Sequence, residues 1–309
     1  MREENFKQWG YFYPPSDYAE FEKENDEIFK KYLKDETDPI LKTKLYISLL
    51  REIKYFAFLI AFEKQDFMLL NNAIFQTSRQ NLLENAMSAS GTDHAYAFFD
   101  LLGAFACNDF DIIQSFLPQD LPLSAGQFYT ENGANLVKIL YFKQTELEQT
   151  AVQRAQKFLA KKLTIWERKV VEFLLAVIDK NASKCSKILQ NLCKAYQKFG
   201  YPTQNLDKCF AIHIHGLYRF VRCVDNELFL QIKVPKHDCF FADFEEWQSK
   251  NGYPKGEIFY KYPSKLGLIN KILTVKIPKV SLHKPYENDK KLYKDSEKFA
   301  KDLSFEAMK

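Results

Sequence analysis

Apolar residues in this chain recur every three or four positions rather than every second one, and that rhythm limits its fold more than any other feature. After Asp38-Pro39, the residues Leu41, Leu45, Leu49, Ile53, Phe56 and Ile60 keep helical spacing and give a long helix one buried face. Asp is a good N-cap, and Pro at the first helical position gives up no helical hydrogen bond. An earlier charged helix is expected over residues 17–34, with Tyr18, Phe21, Ile28, Phe29, Tyr32 and Leu33 as its stripe. Another starts at Asp66 and ends before Gly91. Residues 165–179 are apolar almost all round (Val170, Val171, Phe173, Leu174, Leu175, Val177, Ile178), as in a helix that lies centrally.

Punctuation supports the same reading. Ser124-x-x-Gln127, Thr145-x-x-Glu148 and Thr164-x-x-Glu167 have the form of capping boxes, each before an apolar periodic run. The breaks between these helices are short, so neighbours should run antiparallel. A loose repeat runs through the region. Ala61-Phe62-x-x-x-Asp66-Phe67 matches Ala104-Phe105-x-x-x-Asp109-Phe110, and looser copies begin at Tyr141 and Ala176, giving steps of 43, 37 and 35 by subtraction. Such spacing belongs to helical-hairpin arrays. Only 10 Gly and 11 Pro occur in 309 residues, too few turns for a strand-rich sandwich or barrel, while 46% hydrophobic residues supply a large core. The expected fold is all-α: stacked antiparallel helical hairpins, a degenerate helical-repeat array.

After a last long helix ending near Asn226 the chain changes character. Residues 228–235 and 272–280 carry short alternating apolar runs that suit extended segments, with a helix near 240–250 between them. The expected division is 1–226 for the array and 227–309 for an extension packed on it, with a charged tail, helical or disordered, from about 288.

Chemistry-bearing clusters are few. His213-x-His215, with Cys209, Cys223 and His237-x-Cys239, gathers metal-ligand types. Residues two apart on a helix point about 200° apart, so both histidines cannot reach one ion there. Asp109-x-Asp111 sits at a helix start, where capping explains it. No G-x-S-x-G, H-E-x-x-H, P-loop or G-x-G-x-x-G occurs in the sequence. We therefore expect no enzyme, no metal and no cofactor. A net charge of +4 is too mild to imply nucleic acid. The longest apolar stretch, Tyr55 to Phe62, is too short to span a bilayer, and the start has no signal-peptide run. The six cysteines show no C-x-x-C pair, which fits a reducing, cytoplasmic setting.

One loop stands out. Residues 251–265 interleave Tyr253, Tyr260 and Tyr262 with Lys255 and Lys261. Aromatic and basic residues mixed in this way form contact surfaces, and they also pin loops onto helices. These five are the candidate partner-binding residues.

The helix-turn-helix runs AYAFFDLLGAFACNDFDIIQSFL and VVEFLLAVIDKNASKCSKILQNL, then FADFEEWQSKNGYP and KYPSKLGLINKIL, together resemble the all-helical immunity-protein family numbered forty-nine of bacterial polymorphic toxin systems. The resemblance is one of organisation and covers roughly residues 40–275. It implies a non-enzymatic protein that binds a cognate toxin and blocks it by stoichiometric occlusion, and it transfers no functional residue. A helical-repeat adaptor for another protein partner, and an enzyme with an unfamiliar site, are the alternatives. Turnover on a substrate panel would favour the enzyme, and a toxin gene immediately upstream would favour the immunity protein over the adaptor.

Overall fold

Hydrogen bonds at helix ends account for most of the local structure. A computed structural model describes residues 17–88, 92–198, 210–284, 287–288 and 291–309. Helix α1 (Tyr18–Ile28) starts where Asp17 accepts from the Glu20 amide, and it continues as a π-helical turn over Phe29–Leu33. Helix α2 (Pro39–Leu49) is capped by Asp38, which accepts from the amides of Ile40 at 2.8 Å and Leu41 at 3.2 Å. The periodic run does not continue as one helix. Leu50 is extended, and α3 (Lys54–Glu63) begins afresh. The cause is tertiary: the buried Asn25 side chain accepts from the Arg51 amide at 2.9 Å, taking the donor that a continuing helix would use. Leu41, in the first turn of α2, is solvent-exposed rather than part of one buried face. Helix α4 (Phe67–Ser88) starts on Asp66, which accepts from Met68 and Leu69.

The chain continues through α5 (Phe98–Ala106), α6 (Ile113–Phe116), α7 (Tyr129–Phe142), α8 (Thr145–Leu159), α9 (Ile165–Ile178), α10 (Ala182–Gln197), α11 (Ile212–Val224), α12 (Asn226–Gln231) and α13 (Ala242–Lys250). It ends with α14 (Gly267–Thr274), a two-residue ladder of β1 (Leu282–His283) on β2 (Tyr293–Lys294), and α15 (Ser296–Met308). The fold is all-α, with one small antiparallel ladder among the described residues. That ladder is not where alternation suggested extended chain. Residues 228–231 lie in α12 and 272–274 in α14, with Leu228, Phe229, Ile272 and Leu273 buried, and the backbone turns extended only past these helix ends, at Ile232 and Val275. The charged tail is helical: α15 buries Phe299, Ala300, Leu303 and Ala307.

Of the three sequence capping boxes, Thr164 with Glu167 forms one, with both reciprocal bonds present. Thr145 is already inside α8 behind Gln144. Ser124 lies in a loop before α7, where Asn135 bonds both its backbone amide and its carbonyl. Asn132 and Lys138 on the same helix bond the Gly126 and Leu121 carbonyls, so α7 holds that loop through side chains.

The sequence repeat has a local meaning. At three copies the sixth residue's amide bonds the first residue's carbonyl at 3.0 Å: Asp66 to Ala61, Asp109 to Ala104, Asn181 to Ala176. The residue between is left-handed each time: Gln65 (φ 51°), Asn108 (φ 61°) and Lys180 (φ 50°). This is a Schellman ending, and at 66 and 181 the residue that closes it caps the next helix. The fourth copy is shifted: the same bond joins Gln144 to Ile139, around Lys143 at φ 55°.

By internal packing the chain divides into two units. One is Ala95–Pro254, and the other joins the described residues up to His94 with Lys255–Lys309. The position near 226 expected to close an array falls inside the first. In that unit α7 packs on α8, α9 on α10 and α7, and α11 on α5. Gly216 makes the last contact possible, because a Cβ there would lie 1.8 Å from the Leu102 carbonyl oxygen. In the other unit α3 packs on α4, while α14 and α15 cover α2 and α4.

Candidate functional site

The aromatic-basic loop is divided by burial. Tyr260 and Tyr262 face the interior of their unit. The Tyr260 amide donates to Gln76 at 2.8 Å and its hydroxyl to Glu22 at 2.8 Å, while its ring meets Phe21 edge-on at 5.0 Å. The Tyr262 hydroxyl donates to the Arg51 carbonyl at 3.4 Å, and burial raises its pKa far above the ordinary tyrosine range. These two tyrosines hold the loop down. Lys255 and Lys261 are exposed. Tyr253, which belongs to the other unit, is half-buried in a left-handed turn after Gly252, with the Arg222 guanidinium 3.7 Å from its ring centre.

The histidines diverge as helical geometry requires. His213 is half-buried, stacks on Phe99 with ring centres 3.7 Å apart, and meets the Tyr196 hydroxyl at 3.2 Å. His215 is fully buried between Phe240 (4.0 Å) and Phe210 (4.8 Å). Cys209 lies outside the described residues, Cys223 is exposed, and His237 Nδ1 sits 3.2 Å from Cys239 Sγ. Among the described residues no three His, Cys, Asp or Glu side chains gather as ion ligands would.

His215 belongs instead to a buried charge cluster. Glu245 on α13 reaches His215 Nδ1 with Oε1 at 2.5 Å and Arg219 Nη2 with Oε2 at 2.6 Å. His215 and Arg219 are four apart on α11, hence on one face. The Phe241 amide donates to His215 Nε2 at 3.2 Å, so the ring's own proton is on Nδ1, aimed at Glu245, and the imidazole is neutral. Burial, the largest influence, agrees by lowering the His215 pKa below its ordinary 6.5. Glu245 then balances Arg219 alone. The distance to Arg219 suits an ion pair, yet the angles satisfy no hydrogen bond at Nε, Nη1 or Nη2, so the guanidinium is held by charge and by the faces of Tyr253 (4.9 Å) and Phe244 (5.9 Å). The cluster has no exposed group with which to meet a ligand, and its chemistry is that of a clamp joining α11, α13 and the turn at Tyr253. The i, i+4 pair His215/Arg219 was a visible signal for it, but the sequence did not say which carboxylate would answer.

An open surface feature lies in the other unit. A groove of about 630 Å³ runs between the start of α2, the segment 276–279 and α15. Its walls carry Ile40, Ile277, Phe305 and Met308, and Phe305 is 65% exposed. The Ser304 hydroxyl donates to the Pro39 carbonyl at 3.0 Å and fixes α15 against the start of α2. Lys276, Lys279 and Lys301 stand exposed along the groove. Asp302 and Glu306, also on its wall, are engaged by lysines outside it, Asp302 by Lys298 of α15 and Glu306 by Lys309 just after that helix. The groove was not legible in sequence because its apolar residues are scattered through stretches dominated by charge. No family model matches the chain, and neither a curated protein nor a solved structure matches it. No helix among the described residues is long and apolar enough to cross a membrane.

Proposed function

We propose that this chain is an immunity protein that binds a cognate bacterial toxin in the cytoplasm and neutralises it by stoichiometric occlusion, with no chemistry of its own. The observation that carries the reading is the groove, where apolar side chains stand in solvent beside exposed lysines. Apolar surface left open and rimmed by polar groups is the mark of a protein-binding site. The resemblance in organisation supplies the kind of partner. Its two longest stretches fold as helix, left-handed turn, helix, which makes a stiff frame for presenting a surface. Lys255 and Lys261 add exposed positive charge that would steer an acidic partner, while Tyr260 and Tyr262 serve the frame. The test is co-expression with the toxin encoded beside the gene. We expect a stable complex of fixed stoichiometry and loss of toxin activity on titration. A toxin that stays fully active at excess of this protein would overturn the proposal.

A further inference from the structure

The charge of the groove specifies more than its shape does. Its two carboxylates are already engaged, Asp302 by Lys298 and Glu306 by Lys309 at 2.7 Å, so they do little to offset the lysines of the groove. Lys276 and Lys301 form no ion pair among the described residues. Net positive charge therefore flanks an apolar floor of Ile40, Ile277, Phe305 and Met308. A helix or strand with charge on one side and apolar residues on the other fits such a surface when its charge is negative. The groove is partly open to solvent rather than an enclosed cavity, which suits a chain segment better than a small molecule.

We propose that the groove receives an acidic amphipathic segment of the partner protein, apolar side chains against Phe305 and Met308 and carboxylates beside Lys276 and Lys301. This rests on the reading of the chain as a protein-binding immunity protein and names the chemistry of what it binds. The segment should dock faster at low salt, because exposed charges are screened within about 10 Å at ~0.1 M ionic strength.

The experiment uses the full chain and two fluorescein-labelled helical peptides, alike in their Leu and Trp positions, one bearing Glu and the other Lys at every remaining position. Fluorescence polarisation should show saturable binding of the Glu peptide, weakening as salt rises, and none of the Lys peptide. Lys276→Glu with Lys301→Glu, and separately Phe305→Asp, should each weaken the Glu peptide at least about tenfold. All three positions are exposed, so thermal unfolding should stay near wild type. Equal binding of both peptides, or wild-type affinity in both variants, would overturn the proposal. So would self-association in sedimentation velocity that Phe305→Asp abolishes, since the groove would then hold a second copy. A toxin neutralised equally well by wild type and both variants would reject the groove and keep the immunity reading. Peptide binding as expected with no toxin neutralised would do the reverse.

Discussion

The two units of the molecule are built by different means. Ala95–Pro254 is one continuous stretch, and hairpins between sequence neighbours supply much of its packing. The other unit joins segments separated by the whole of the first, so its contacts had to close a far longer loop. It is stitched by side chains that reach backbone across that gap: Arg79 to the Leu273 carbonyl at 2.8 Å, Ser304 to Pro39, Tyr262 to Arg51, and Gln76 to the Tyr260 amide. The interiors differ as well. The continuous unit buries a histidine, an arginine and a glutamate against one another, whereas the joined unit centres on Phe21, Phe56, Tyr260 and Tyr262, rings about 5 Å apart.

The largest effect expected lies in the continuous unit. Phe173→Ala on α9 should cost about 3–5 kcal/mol, much of a typical ~5–15 kcal/mol stability. Denaturant unfolding unchanged from wild type would show that α9 is peripheral. Glu245→Ala should cost a similar ~3–5 kcal/mol, because it strands Arg219 as a buried cation, and adding Arg219→Met should recover part of the loss. The exposed pair Lys44–Glu297 of the other unit is the control: Glu297→Ala should change stability by less than about 1 kcal/mol. Comparable losses from Glu245→Ala and Glu297→Ala would erase the contrast.

The next effect depends on pH. His215 is neutral in the folded protein because burial lowers its pKa, so the unfolded chain binds a proton there that the folded protein refuses. Its contribution is complete above about 6.5 and is lost as pH falls below that value, at up to ~1.4 kcal/mol per pH unit. His215→Gln should flatten the slope of stability between roughly pH 6.5 and 5, and an unchanged slope would mean that His215 titrates alike folded and unfolded. The smallest effect is shared by both units. Gln65→Gly and Lys143→Gly replace left-handed residues with the one that adopts that conformation freely, and each should raise stability by about 0.5–1 kcal/mol. Destabilisation at either position would mean that the side chain contributes more than its backbone strain costs.

What the sequence determined by itself was what acts within a turn of chain. The helical class, the caps at Asp38, Asp66 and Thr164, and the repeated helix ending at 61, 104 and 176 are read correctly because each depends on residues three to five apart, whereas the run from Leu41 to Ile60 is two helices and not one. Even there the match to a capping box misled at Ser124, since the spacing cannot reveal that Asn135 would bond that backbone instead. Only the tertiary structure decided how helices choose partners. The apolar face of α11 is visible in sequence, but its fit to α5 depends on Gly216 meeting the Leu102 carbonyl. Asn25 broke a helix from a distant position, Glu245 found His215 and Arg219, and the loop tyrosines turned inward while Phe305 stayed in solvent. The physical reason is that hydrophobic burial has no direction: a periodic stripe states that a face must be covered and leaves shape, polar pairing and chain closure to settle what covers it.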